Sequence, residues 1–214
     1  MKTLFTIPLV LMSLMSFPSW GDEFNLGMRA FESGDYKTAL EKWSSSALNG
    51  NPTAANNVGK MLRNGLGVSQ DHKSAVEWFL IGHRMGNRES SYNLAIAYDQ
   101  GMGGVEKNET TAFNFYHESA KKGFSDAQYN LGLRYARGVG VKPDLTLSYV
   151  WFEIVVNSDR FMRRGTIEKS KLTLFSNEDA LAVMDLIAKN ISPSDLILAR
   201  RIARECVAND YINC

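Results

Sequence analysis

Few of the 214 residues are of types that do chemistry by themselves. The histidines are His72, His83 and His117, and no two stand three or four apart, the spacing by which one helix presents paired metal ligands. Ser119-Ala120-Lys121-Lys122 has the S-x-x-K spacing of penicillin-interacting serine enzymes, where Ser119 would be the nucleophile and Lys122 its base partner. No S-D-N or K-T-G element follows, since Ser125-Asp126 runs on into Ala127. Three glycine-rich stretches, Gly65-Leu66-Gly67, Gly101-Met102-Gly103-Gly104 and Gly138-Val139-Gly140, invite comparison with phosphate loops. A phosphate loop needs a strand before it and a Lys followed by Ser or Thr after its last glycine, and neither is present. Asn108-Glu109-Thr110 and Asn190-Ile191-Ser192 fit the glycosylation sequon but read as helix starts. The expectation is therefore no catalytic residue, no metal and no cofactor.

The elements that would carry these residues recur along the chain. Asn57-Val58-Gly59, Asn93-Leu94-Ala95 and Asn130-Leu131-Gly132 repeat at spacings of 36 and 37, and Asn25-Leu26-Gly27 supplies a first, shorter copy. Each of the three is followed by glycines and Val68, Val105 or Val141, and the extra Gly104 accounts for the longer spacing. Asp35, Asp71, Asn108 and Asp144 then stand four places before a small residue, where a short polar side chain can cap a second helix. Large aromatics Trp78, Phe115 and Trp151 follow, with Trp43 read as one place later in the first copy. Gly50, Gly86 and Gly123 close the copies as helix C-termini.

Each copy thus reads as a helix, a glycine-rich loop and a second helix. Small residues at Ala54, Gly59, Ala95, Ala127 and Gly132 let paired helices approach, while Trp78, Phe115 and Trp151 fill the space between successive pairs. No copy can bury its apolar face alone, so the copies must stack. The expected class is all-α, an α/α superhelix or solenoid. Beyond Asn157, Ser176-Asn177-Glu178-Asp179 and Ser192-Pro193-Ser194-Asp195 read as starts of C-terminal capping helices.

The run from Ala127 to Val141, and Ala75-Val76-Glu77-Trp78-Phe79 in the second helix, resemble the Sel1-like repeats, relatives of the tetratricopeptide repeat with a longer interhelical loop. The resemblance covers residues 24 to 157. The first copy departs from it, because Ser33-Gly34-Asp35 replaces the long loop. The family implies a protein-binding scaffold that holds its partner on a concave face lined by first helices. Its relatives act as adaptors in envelope assembly, motor accessory structures, polysaccharide export and host contact. A cysteine-rich branch connected with penicillin binding carries a Cys pair in each repeat, and no repeat here contains any Cys.

Residues 1–21 read as a secretory leader. Lys2 supplies the positive start, Leu4 to Phe17 is apolar and uncharged, and Ser19-Trp20-Gly21 sets small residues for cleavage after Gly21. The apolar run is too short for a permanent span. The division is a leader at 1–21, a solenoid at 22–157 in copies of about 22–50, 51–86, 87–123 and 124–157, and capping helices at 158–214. Without Lys2 the 24 basic residues become 23, equal to the 23 acids, so no global charge drives binding to nucleic acid or an anionic membrane. A periplasmic or secreted scaffold for a protein or peptide partner follows, its oligomeric state open. The alternative is an envelope enzyme or enzyme regulator acting on peptidoglycan or beta-lactam-like substrates, resting on the S-x-x-K match. Recognition should use positions where the copies differ, which selects Lys60, Arg63, Ile96, Asp99, Leu133 and Arg137 as a face free of packing duty. Cys206 and Cys214, an even pair in an exported chain, should form a disulfide.

Overall fold

The computed structural model describes residues 20–162 and 177–211. Among the described residues there are ten helices and no strand. They are α1 (Trp20–Glu32), α2 (Tyr36–Leu48), α3 (Pro52–Asn64), α4 (His72–Arg84), α5 (Arg88–Gln100), α6 (Glu109–Lys121), α7 (Ser125–Arg137), α8 (Leu145–Met162), α9 (Asn177–Ala188) and α10 (Pro193–Ala208). Consecutive helices pack as the pairs α1/α2, α3/α4, α5/α6 and α7/α8, and each pair leans on the next to give the α/α solenoid.

Local chemistry sets the helix boundaries. Asp35, Asp71, Asn108 and Asp144 accept hydrogen bonds from the amides of Thr38, Ser74, Thr111 and Leu147 in the first turns of α2, α4, α6 and α8. Asn51 and Asn87 do the same for α3 and α5, while Phe124 at the head of α7 offers no side-chain cap. Gly50, Gly86 and Gly123 follow the ends of α2, α4 and α6 with positive φ, as a left-handed helix ending requires. Ser192 opens α10, accepting from the Asp195 amide at 3.1 Å while donating to its carboxylate at 2.7 Å. Ser176 lies outside the described residues.

Inside each pair a small residue on the first helix faces a ring on the second. A Cβ on Gly27 would sit 2.5 Å from Trp43, one on Gly59 2.5 Å from Phe79, and one on Gly132 2.9 Å from Phe152. This corrects the aromatic register. Trp43 is not displaced by one place; it stands eight residues after its capping Asp35, as Phe79, Tyr116 and Phe152 stand after theirs, and all four are buried. Trp78 and Phe115, one place earlier, work at the joints between pairs. Trp78 is half-buried against the cluster of α1 to α3, and Phe115 stacks on Tyr98 at 5.5 Å and meets the ring of His83 edge-on at 5.1 Å. Trp151 is fully enclosed in the C-terminal core.

The glycine-rich loops have a second task. Gly65, Gly101 and Gly138 end the first helices in the left-handed conformation. The second glycine of each loop, also left-handed, presses on the backbone of the preceding pair. A Cβ on Gly67 would lie 2.6 Å from Cβ of Tyr36, and Cβ atoms on Gly103 and Gly140 would collide with the carbonyl oxygens of His72 and Glu109. Tyr36, His72 and Glu109 are the first residues of α2, α4 and α6, so each loop seals the start of the second helix before it. The inserted Gly104 meets nothing within 4 Å. The short turn at Ser33-Gly34-Asp35 fits the same logic, because among the described residues no helix pair precedes α1.

At the C-terminal end the pairing changes. α9 and α10 each dock on α8 instead of forming a tight pair with one another. Ala180, Met184 and Ile187 of α9 and Ala199, Ala203 and Cys206 of α10 enter the core that contains Trp151 and Phe152.

Gly140→Ala and Gly104→Ala separate the loop's two costs. Both force a non-glycine into a left-handed conformation, at about 1 kcal/mol, but only Gly140→Ala also drives a methyl into the Glu109 carbonyl. We expect Gly140→Ala to lose about 2–4 kcal/mol in denaturant unfolding and Gly104→Ala about 1 kcal/mol. Equal losses would show that the loop does not seal the neighbouring helix.

Candidate functional site

Most residues that could do chemistry are taken up by packing. Ser119 is fully buried and its hydroxyl donates to the Arg88 carbonyl at 2.7 Å, inside the α5/α6 pair. It occupies the place held by Ser46 and Gly82 in earlier copies, where the next first helix approaches most closely; a Cβ on Gly82 would strike the Ser90 hydroxyl. Lys122 follows as the exposed C-cap of α6. A nucleophile so enclosed offers no approach to a substrate carbonyl. His72 opens α4 with its carbonyl under Gly103. His83 places Nδ1 3.0 Å from the Ser91 hydroxyl and 3.6 Å from the Glu118 carboxylate, with both groups on one ring nitrogen, so the ring cannot relay a proton from one to the other. His117 stacks on Phe113 and meets Trp151 edge-on. Among the described residues no three His, Cys, Asp or Glu side chains converge to hold a metal ion.

A cleft of about 620 Å³ opens at the start of α6, lined by Lys107 to Thr110 and by Gly138, Gly140 and Val141. Of its lining side chains, Lys107 pairs with Glu109 at 3.2 Å and Asn108 accepts from the Thr111 amide. The loops are thus not phosphate cradles: their glycines accommodate neighbouring backbone, and two of the three helices they lead into are capped by Asp71 and Asp144 carboxylates.

The first helices α3, α5 and α7 carry the residues singled out for recognition. Lys60 is half-buried, and Arg137 is exposed, as are Asn64 and Gln100. Ile96 and Leu133 are half-buried against the core. Arg63 and Asp99 are not free of packing duty, contrary to expectation. The Arg63 guanidinium donates to Asn93 of the next pair at 2.8 Å and lies over the Phe79 ring at 5.8 Å. Burial lowers its pKa from the ordinary arginine value. The Asp99 carboxylate pairs with Arg134 and accepts from the Tyr116 hydroxyl.

Two polar ties therefore join successive first helices. At the α3/α5 joint, the Asn56 side-chain carbonyl accepts from Asn93 at 2.9 Å, its amide donates to Glu89 at 2.9 Å, and Arg63 reaches the Asn93 carbonyl. At the α5/α7 joint, Arg134 is only 7% exposed, pairs with Asp99, donates to the carbonyls of Glu109 and Val139, and lies over the Tyr116 ring at 4.8 Å. Burial pushes the Tyr92 phenol up to about 12, and burial with the Asp99 charge raises that of Tyr116, so both stay protonated and Tyr116 donates to Asp99. Sequence reading missed Asn56, Asn93 and Arg134 as a set. The available signal was Arg134 itself, a charge where earlier copies carry Met61 and Ala97.

Cys206 is 2% exposed on α10, and Cys214 lies outside the described residues. So do residues 1–19 of the expected leader; the expected cleavage point after Gly21 falls in the first turn of α1. No described helix is long and apolar enough to cross a membrane.

Removing one partner of the Asp99–Arg134 pair strands a buried charge. Asp99→Ala should lose about 2–4 kcal/mol in denaturant unfolding, and Asp99→Ala/Arg134→Met should recover most of it. If the double variant were no more stable than Asp99→Ala, the pair would not be the source of the loss.

Three consecutive stretches, residues 52–87, 88–124 and 125–154, match the model of the Sel1 repeat. No curated protein matches the chain. Solved structures that share its fold include two Sel1-like repeat proteins. One is a protective antigen present in uropathogenic Escherichia coli strains and displaying an SLR fold, with a TM-score of 0.72 and 24% identity; the match covers 90% of this chain and 39% of that one. The other is a Sel1 repeat protein from Oxalobacter formigenes, with a TM-score of 0.58 and 22% identity, over 78% of this chain and 70% of that one.

Proposed function

Because this chain belongs to the Sel1 repeat family, we propose that its stacked helix pairs serve as an exported scaffold, periplasmic or secreted, that holds a partner protein or peptide along the concave face of α3, α5 and α7. The observation that carries this reading is the split between two kinds of position. Capping, glycine, small and aromatic positions stay in register and go into packing, while Lys60, Ile96 and Leu133, and Asn64, Gln100 and Arg137, change chemistry from copy to copy at half-buried or exposed places. Arg63 and Asp99 shape this face by fixing the spacing of its helices. The contact residues we assign are Lys60, Ile96, Leu133 and Arg137, with Asn64 and Gln100 beside them. The buried setting of Ser119 supports the scaffold over an envelope enzyme. Asp22 and Glu23, the first residues after the expected cleavage, stand in the first turn of α1, where acids suit its positive end.

Crosslinking in the native envelope followed by mass spectrometry identifies the partner. Lys60→Glu/Arg137→Glu should then weaken capture at least tenfold, about 1.4 kcal/mol, with the unfolding midpoint unchanged. Unchanged capture by the folded variant would remove the site from this face.

The same reading closes a disulfide between Cys206 and Cys214. Its support is local: the chain reverses after α10 with positive φ at Asp210 and Tyr211, and the Tyr211 amide returns to the Cys206 carbonyl at 2.9 Å. Closing so short a loop stabilises by about 2.5 kcal/mol in the chain-entropy model. Thiol labelling of denatured, unreduced protein should find no reactive cysteine, and two reactive thiols would exclude the bridge.

A further inference from the structure

The two joints between successive first helices differ in their balance of charge. At the α5/α7 joint the Arg134 guanidinium has an acid beside it, Asp99, and the pair is neutral. At the α3/α5 joint the cation has none. The half-buried Arg63 guanidinium is held by neutral groups: it donates from Nη1 to the Asn93 side-chain carbonyl at 2.8 Å and from Nε to that of Asn64 at 3.4 Å, and it lies over the Phe79 ring. Among the described residues its Nη2 donates to nothing. Lys60 stands one turn earlier on α3, half-buried and likewise in no ion pair with a described residue. α3 itself contains no acid. The carboxylate that enters the local network, Glu89, sits in the first turn of α5 and accepts from the Asn56 amide at 2.9 Å.

A cation drawn out of water into neutral surroundings loses hydration that neutral acceptors replace only in part. An acid arriving beside Arg63 offsets that loss, whereas at a fully solvated lysine an ion pair contributes little. The unused N–H groups of the guanidinium suit the oxygens of a carboxylate, in the charge-assisted geometry that distinguishes arginine from lysine.

The neighbouring residues select the class of ligand. Asn57 and Asn64 flank the two cations on α3, and Ile96 and Gln100 stand with Asn93 on α5. Amides can exchange hydrogen bonds with a peptide backbone, and Ile96 can take an apolar side chain. A nucleic acid would instead need cations in a row, and the next joint is already neutral.

We infer that the α3/α5 joint is an acid-recognition site, at which Lys60 and Arg63 receive an Asp or Glu side chain of a bound peptide segment. This rests on the first-helix face being the binding face, and it adds the chemistry of what is bound there.

The test presents the purified chain to an array of random dodecapeptides anchored through their C-termini, so that only side chains supply carboxylates. Bound peptides should be enriched in Asp and Glu. Replacing these by Asn and Gln in a selected peptide should weaken its binding at least tenfold in fluorescence anisotropy, about 1.4 kcal/mol, and the difference should grow at low ionic strength. Lys60→Met should reduce the acidic preference, and Lys60→Glu should turn the selection toward peptides bearing Lys or Arg, a change that a merely structural role for Lys60 would not produce. Circular dichroism verifies the fold of each variant. Bound peptides with no acidic enrichment, whose binding Arg137→Glu still weakens, would overturn this inference and leave the first-helix face in place. An array that retains nothing, or peptides whose binding neither Lys60→Glu nor Arg137→Glu alters, would overturn both. Displacement of a selected acidic peptide by an equal concentration of oligothymidylate would overturn the peptide assignment in favour of a polyanion.

Discussion

Gly67, Gly103 and Gly140 bring one stretch of backbone against another where no side chain would fit, and the rest of the array depends on that contact. It fixes the distance from each loop to the preceding second helix, and so the tilt of one helix pair on the next. Once that distance is set, Trp78 and Phe115 have joints of the right width to fill. Asn56 can then reach Asn93, and Asp99 can reach Arg134, from one first helix to the next. The left-handed conformation is needed at the same positions, so backbone geometry and lack of space both select glycine.

What the sequence makes legible is what is local. An Asp or Asn four places before a small residue, and a glycine just past a helical run, act within one turn of chain, and the helices begin and end by them. The aromatic register was harder to read because Trp78-Phe79, Phe115-Tyr116 and Trp151-Phe152 are adjacent pairs of large rings. Either member could be the one against the small residue, and only Trp43, which has no large neighbour, marks the answer. The ties of Arg63 and Asp99 were not legible at all. Their partners are 30 and 35 residues away and differ in type from joint to joint, so no spacing betrays them. Variation between copies looked like freedom, whereas at these two positions it reflects two different solutions to one packing problem. The docking of both α9 and α10 on α8 was equally hidden, since amphipathic spacing says that a helix has an inner side but not which neighbour it meets.

The reactive groups follow the same division. His83 and His117 stand at joints and Ser119 inside a pair, and the fold uses each as a shaped filler of its packing. The first-helix face, by contrast, offers side chains of mixed charge and polarity on a rigid base. Rigidity there comes from buried polar ties, which are unforgiving of partial satisfaction and so hold the helices to a single spacing.

The backward reach of each loop also determines how such a protein can lengthen. Every unit of 36 or 37 residues contains one half of a joint in its glycine loop and the other half in the opening turn of its second helix. A tandem duplication of the gene segment for one unit copies both halves together, so the added unit closes on its predecessor and is closed upon by its successor with no compensating change. The array can thus grow in the middle by whole units, whereas a fragment cut out of step with the period would leave two half-joints without mates.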